Sequence, residues 1–387
     1  MFSSRFHWDA HPNRLTELLR EKKRAGVPVL DLTESNPTRA DLAYPAEVMA
    51  ALSDQRVLLY EPSAAGALDA RGAISRYYAV SGRQIEPDRI LLTASTSEAY
   101  AYLFKLLCDS GDQVLVPRPS YPLFEFLATM ENVEARQYPL AWHGEWSIDR
   151  DALQAAITDR TRAIVLVNPN NPTGSYVKRA ELKWLAEVGL PLISDEVFCD
   201  YAFSPDPSRV DSLLNASGAL AFSMSGLSKV AGLPQMKLGW IAVSGPETAR
   251  REAMEKLEWI ADTYLSVSTP VQCAAPALLA AGMEVQRQIR ERTMANLAWA
   301  QDALAGSAAG AMPVEGGWYL TIRMPQTRGE EEWALEMLDR ENVLVQPGFF
   351  YDFETEAFLI VSLLTPPAIF REGLDRLKRR LEEDQFA

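Results

Sequence analysis

Five short stretches carry the side chains that can do chemistry. "SGLSKVAGLPQMKLGW", residues 225–240, sets Lys229 and Lys237 among apolar residues and glycines. A lysine recessed among apolar groups loses its proton readily and becomes a nucleophile towards aldehydes. "ISDEVFCDYAF", residues 193–203, ends an apolar run on Asp195 and Glu196, and a carboxylate there can hold a cationic nitrogen. "VNPNNPTG", residues 167–174, presents asparagine amides, Asn171 among them, in a turn with two Asn-Pro steps. "LLTASTSEAY", residues 91–100, puts Ser95, Thr96 and Ser97 at the start of a predicted helix, where N–H groups and hydroxyls suit an anion. "PRPSYPLFEF", residues 117–126, places Tyr121 in a proline-bounded loop, where its ring can stack on a flat ligand. Each stretch alone also has a plain structural reading: a surface lysine, a helix-dipole acid, a turn, an N-cap or a packed aromatic. Together they offer a lysine, an acid, an amide, an anion nest and an aromatic, all at loop edges.

The elements that must position them follow a repeating rhythm. "RILLTA", "QVLVP", "RAIVLVNP", "LPLISDE", "ALAFSMS" and "KLGWIAVSG" are short apolar runs. "SEAYAYLFKLL", "KRAELKWLAEV" and "ETARREAMEKLEWIADTYL" are helical segments between some of them. Unalternated strands separated by helices predict a mostly parallel sheet covered on both faces. In such sheets ligands bind at the carboxyl ends of the strands, where these five loops fall. Residues 270–304 read as one long helix. Beyond residue 310, "GGWYLTIRM", "NVLVQPG" and "AFLIVSL" read as strands before a final amphipathic helix, which predicts a smaller α+β unit.

Bulk properties narrow the function. A chain of 387 residues with 48% hydrophobic and 23% charged residues has ample material for the core of a large globular enzyme. Its net charge of -14 disfavours nucleic acid and anionic membrane as partners. Three scattered cysteines argue against a disulfide framework, and His7, His11 and His143, the three histidines, form no metal-type cluster. The opening "MFSSRFHWDAHPNRL" is too polar for a secretory signal, and no apolar run reaches membrane-spanning length, so the expected place is the cytoplasm.

The ordered set "NPNNPTG", "DEV" and "SK" resembles the class I/II aminotransferases, the fold type I enzymes that use pyridoxal 5'-phosphate (PLP). The resemblance runs from about residue 28 to 383 and implies an α/β fold: a large PLP-binding domain over 47–290 and a small α+β domain built from 1–46 and 291–387. It implies Lys229 as the Schiff-base lysine and proton carrier, Asp195 at the pyridine nitrogen, Asn171 at the ring O3' and Tyr121 stacked on the ring. Ser95, Thr96 and Ser97 would hold the phosphate, with Lys237 as an added cation. Tyr60, in "LLYEPSAAGALDARGAISRYY", matches the tyrosine that reaches a neighbouring subunit's phosphate, which implies a homodimer with shared sites. The implied substrates are an amino donor and a 2-oxo acid, exchanged by a ping-pong mechanism.

Three positions depart from the family. Phe198 stands where relatives commonly carry a tyrosine that donates to O3', so the lysine–cofactor linkage is expected to titrate at a raised pH, with Cys199 or Tyr201 as replacements to check. Ser95 stands where glycine is common. The third departure is larger: where relatives grip the substrate carboxylate with arginine, this chain has Leu359 or Ile360 in "AFLIVSLLTPP". A buried carboxylate facing an aliphatic side chain is severely unfavourable, so another anchor is expected. Arg39, Arg118 and Arg323 are the candidates, Arg39 first. The departures keep alternatives open: C–S β-elimination, racemisation or cyclisation on the same fold. A PLP-binding regulator without catalysis is the remote alternative, since few residues precede "VPVLDLTESNP" and the chain is acidic.

Overall fold

The computed structural model describes residues 2–6, 8, 11–216, 218–355 and 357–385; His7 lies outside them. Its centre is an eight-stranded sheet. The strands lie in the order Ile90–Thr93, Gly239–Ser244, Ala221–Gly226, Leu192–Asp195, Thr161–Val167, Gln113–Arg118, Glu134–Trp142, Trp146–Ile148. From Ala221–Gly226 to Glu134–Trp142 the pairings are parallel, as the unalternated runs predict. Ile193, Val165 and Val114 are fully buried, and each such side chain contributes about 1.5–3 kcal/mol relative to exposure. The strand Glu134–Trp142 is the element that hydrophobic runs do not reveal. Most of its residues are only half-buried, only Leu140, Ala141 and Trp142 pair with the short edge strand Trp146–Ile148, and Pro139 lies in the stretch that no outer strand covers.

Helices cover both faces. Thr96–Leu107 and Glu247–Tyr264 pack one apolar layer on the sheet. Leu68–Val80 and the first half of Thr269–Leu304 pack another. The long helix matches the expected span within a residue and holds Pro276 in its interior.

A second, antiparallel sheet has the order Gly310–Ala311, Tyr319–Arg323, Phe358–Ser362, Gln346–Pro347. Its apolar layer includes Leu15, from helix Arg14–Arg24, and Leu32. Leu30–Asp31 pairs with Val343–Leu344, so the two ends of the chain share one core.

Candidate active site

Sheet topology explains why distant loops meet. Parallel pairing puts Val167, Asp195 and Met224 in one register row at the carboxyl edge. Gly239–Ser244 runs antiparallel to both neighbours, so its first residue lies at that same edge, opposite Gly226 and Thr93. Lys237, two residues earlier, is thereby delivered to the edge that carries Lys229. Glycine is required here: a Cβ on Gly226 would stand 2.9 Å from the Leu238 carbonyl oxygen, and one on Gly239 3.0 Å from the Ser95 carbonyl carbon. Three backbones thus crowd together at one end of the cleft.

The cleft has a volume of about 250 Å3 and is lined by Ser95, Thr96, Ser97, Tyr121, Asn171, Asp195, Phe198, Lys229 and Lys237. Every cofactor-side residue expected from sequence is therefore at one place except Tyr60. Tyr60 is 73% exposed and lines a separate pocket with Ser266 and Leu265.

At the crowded end, Ser95 caps the helix Thr96–Leu107, its Oγ accepting the Glu98 N–H at 3.2 Å. The Glu98 carboxylate accepts the Ala94 N–H at 2.6 Å. The N–H groups of Thr96 and Ser97, in the first helical turn, have no acceptor within the helix. Lys237 is exposed there with φ +52°, a left-handed conformation uncommon for lysine and characteristic of functional sites.

Asparagine identity is decided by partners. Asn168 bonds the Val210 carbonyl and the Val177 N–H, and Asn170 bonds the Pro119 carbonyl and the Ser120 hydroxyl. Both hold the turn. Asn171 faces the cleft, nearly buried, and its Oδ1 has no partner. The two acids separate in the same way, because adjacent residues at a strand end face opposite sides. Glu196 is sealed in by Ser212, the Leu213 N–H and Ser223. Asp195 enters the cleft. No helix starts there, so the dipole reading of this acid fails.

Electrostatics set the two central groups apart from their surface counterparts. Burial pushes the Asp195 carboxyl up to about 6; the Val197 N–H at 3.2 Å, Tyr100 hydroxyl at 3.3 Å and Lys229 charge pull it back. Burial pushes the Lys229 amine down to about 8, against the attraction of Asp195. Its Nζ lies 5.0 Å from the Trp318 ring centre and 5.7 Å from that of Phe198. Near neutral pH the site holds an ionised acid and a lysine that gives up its proton easily. Tyr121 is only partly covered, and burial raises its phenol to about 12.

The substrate-side candidates fare differently. Arg39 is exposed at the solvent end of a turn, Pro37–Arg39, capped by Asn36, and does not line the cleft. Arg118 pairs with Glu354, and Arg323 is exposed at a strand end. Leu359 is buried in the apolar layer of the second sheet; Ile360, on the opposite face, is also fully buried and sits between Thr321 and Gln346. Cys199 bonds Arg83, and the Tyr201 hydroxyl donates to the Lys229 carbonyl at 2.5 Å, so neither replaces the hydroxyl that Phe198 lacks. Sequence reasoning missed Tyr319, which lines the cleft, and Trp318, which lies behind Phe198 with ring centres 5.3 Å apart. The run "GGWYL" had signalled only a strand. It also missed Tyr100, whose position on the inner face of its helix is the one available signal.

The comparisons with known proteins agree with this geometry. The family model for aminotransferase class I and II matches residues 27–377. The glutamate-pyruvate aminotransferase AlaA of Escherichia coli (strain K12) is 28% identical over 371 residues, 89% of each chain. The S-alkyl-thiohydroximate lyase SUR1 of Arabidopsis thaliana is 32% identical over 227 residues, 57% of this chain and 49% of that one. Among solved structures, an alanine aminotransferase from Pyrococcus furiosus superposes with a TM-score of 0.87 at 25% identity, covering 99% of this chain and 100% of that one. The fold is that of the fold type I PLP-dependent transferases. The chain belongs to the class I and II aminotransferase family, and its cofactor is pyridoxal 5'-phosphate.

The residues present fit that cofactor. A recessed amine suits an aldehyde, and a buried carboxylate without a cation in contact suits a pyridinium. The Asn171 amide, which faces the cleft, and the helix start beside Lys237 leave N–H donors for a ring oxygen and a phosphate. Among the described residues, no helix is long and apolar enough to cross a membrane.

Proposed function

We propose that this protein transfers an amino group between an amino acid or related amine and a 2-oxo acid in two half-reactions. The observation that carries the reading is one cleft that holds both a buried acid, Asp195, and a recessed lysine, Lys229, whose proton is easily lost. When bound, PLP supplies an aldehyde carbon and an electron-accepting ring. Lys229, recessed and readily deprotonated, would hold the cofactor through its aldehyde and would carry the proton of the donor's Cα. Asp195 would hold the ring nitrogen in its protonated form, the form that best accepts electrons. Tyr121 would stack on the ring, Ser95, Thr96, Ser97 and Lys237 would hold the phosphate, and Asn171 would orient the ring oxygen and contact the substrate. The carboxylate anchor is atypical, because the cations lining the cleft are Lys229 and Lys237.

The same reading places the large domain at 47–290, the small domain at 1–46 and 291–387, and the enzyme in the cytoplasm as a homodimer. What supports the dimer is a run of exposed apolar side chains, Leu58, Leu59 and Tyr60, beside Leu265.

A spectrophotometric donor screen tests the function. A productive donor converts the bound cofactor's aldehyde absorbance to that of pyridoxamine phosphate, and a 2-oxo acid restores it. C–S β-elimination is the second reading, favoured by the missing arginine and by the likeness to a lyase. Release of pyruvate and ammonia from a sulfur amino acid with no 2-oxo acid present would establish it over transamination.

A further inference from the structure

A second cleft, about 420 Å3 in volume, opens between helix Leu68–Val80 and the middle of helix Thr269–Leu304. It shares no lining residue with the cofactor cleft. Its floor is Asp200 with Tyr77. The Asp200 carboxylate is already satisfied: Arg83 pairs with it at 2.8 Å, the Tyr77 hydroxyl donates to it, and Gln286 donates at 3.2 Å. It therefore offers little to an incoming cation. The walls are apolar, with Leu279, Ala280 and Met283 on one helix. Met283 remains 51% exposed.

The rim carries two exposed guanidinium groups. Arg290 donates to the Asp200 carbonyl at 2.9 Å, and Arg76 lies back along its helix over Gly72. Among the described residues no carboxylate is in ion-pair contact with either, although the chain as a whole is strongly acidic. Uncompensated cations beside a concave apolar wall are complementary to a ligand with one acidic group and a hydrocarbon body.

We propose that this cleft is a second ligand site, separate from the cofactor cleft, for a small amphipathic carboxylate. The acid group meets Arg76, and the hydrocarbon part lies along Leu279, Ala280 and Met283. The site goes beyond the transferase reading and does not depend on it.

Calorimetric titration of the holoenzyme with 4-phenylbutyrate, against 4-phenylbutan-1-ol as the uncharged match, tests this. One saturable event per chain is expected for the acid, with the alcohol at least about tenfold weaker. Arg76→Glu is expected to weaken the acid by about tenfold or more, Arg76→Lys to retain most of the affinity, and Ala280→Trp to abolish binding by filling the cleft. Both 76 and 280 are exposed helix positions, and an unchanged unfolding midpoint in each variant separates lost binding from lost fold. Absence of saturable binding overturns the proposal. So does equal binding of acid and alcohol, or binding that persists unchanged in both Arg76→Glu and Ala280→Trp, which places the probe elsewhere.

Discussion

The two sides of the cofactor cleft are built on opposite principles. The side made by the large sheet is polar and costly: a buried acid, a recessed amine, an unpartnered amide and a strained lysine. Each sits where a strand ends or begins. The side contributed by the second sheet is aromatic, with Tyr319 at the surface and Trp318 behind Phe198. Where the resemblance leads one to expect a guanidinium, the strand Phe358–Ser362 continues its apolar packing through Leu359 and Ile360. Chemistry on PLP needs charged groups of the kind that line the first side, whereas the fold leaves open what the second side recognises.

The sharpest break of this contrast is Lys229→Ala. It is expected to lower the single-turnover rate with any productive donor by at least about 10⁴-fold, measured by stopped-flow absorbance; a loss under tenfold would remove Lys229 from the chemistry. Asp195→Asn comes next. The ring nitrogen then loses its anion, and the same rate is expected to fall roughly 10²–10³-fold with the cofactor still bound.

A smaller effect concerns pH. Only the neutral amine attacks an aldehyde, and the Lys229 pKa is about 8. The rate at which cofactor-free protein combines with PLP should rise about fivefold from pH 7 to 8 and less than about twofold from pH 8 to 9. A rate still climbing tenfold above pH 9 would mean an ordinary, solvated lysine.

The smallest expected change lies on the substrate side. Arg39→Ala should leave KM for donor and acceptor within about twofold, because Arg39 is exposed and does not line the cleft. A tenfold rise in KM would bring Arg39 back as the carboxylate anchor and narrow the contrast between the two sides.

Legibility in the sequence followed the same line. The parallel strands were readable because burial on both faces leaves unbroken apolar runs. The strand Glu134–Trp142 was not, since its half-exposed residues dilute the pattern. Lys229, Asp195 and Asn171 were readable because a lysine, an acid and an amide at strand ends have few bland uses in combination. Tyr319 and Trp318 were not, because an aromatic in a strand reads as core whether or not a ligand lies against it.

By its residues the chain determines its α/β class and, through the ordered motifs of its family, its cofactor, since local pattern and residue chemistry are carried within a few positions. Tertiary structure decided the rest. Antiparallel pairing of Gly239–Ser244 sent Lys237 to the edge that bears Lys229. Strand pleating divided Asp195 from Glu196, and hydrogen-bond partners singled out Asn171 from Asn168 and Asn170. Packing left Arg39 in solvent and aligned Arg76 and Arg290 on a second cleft. These outcomes depend on which distant segments become neighbours, and no short stretch of sequence holds that information.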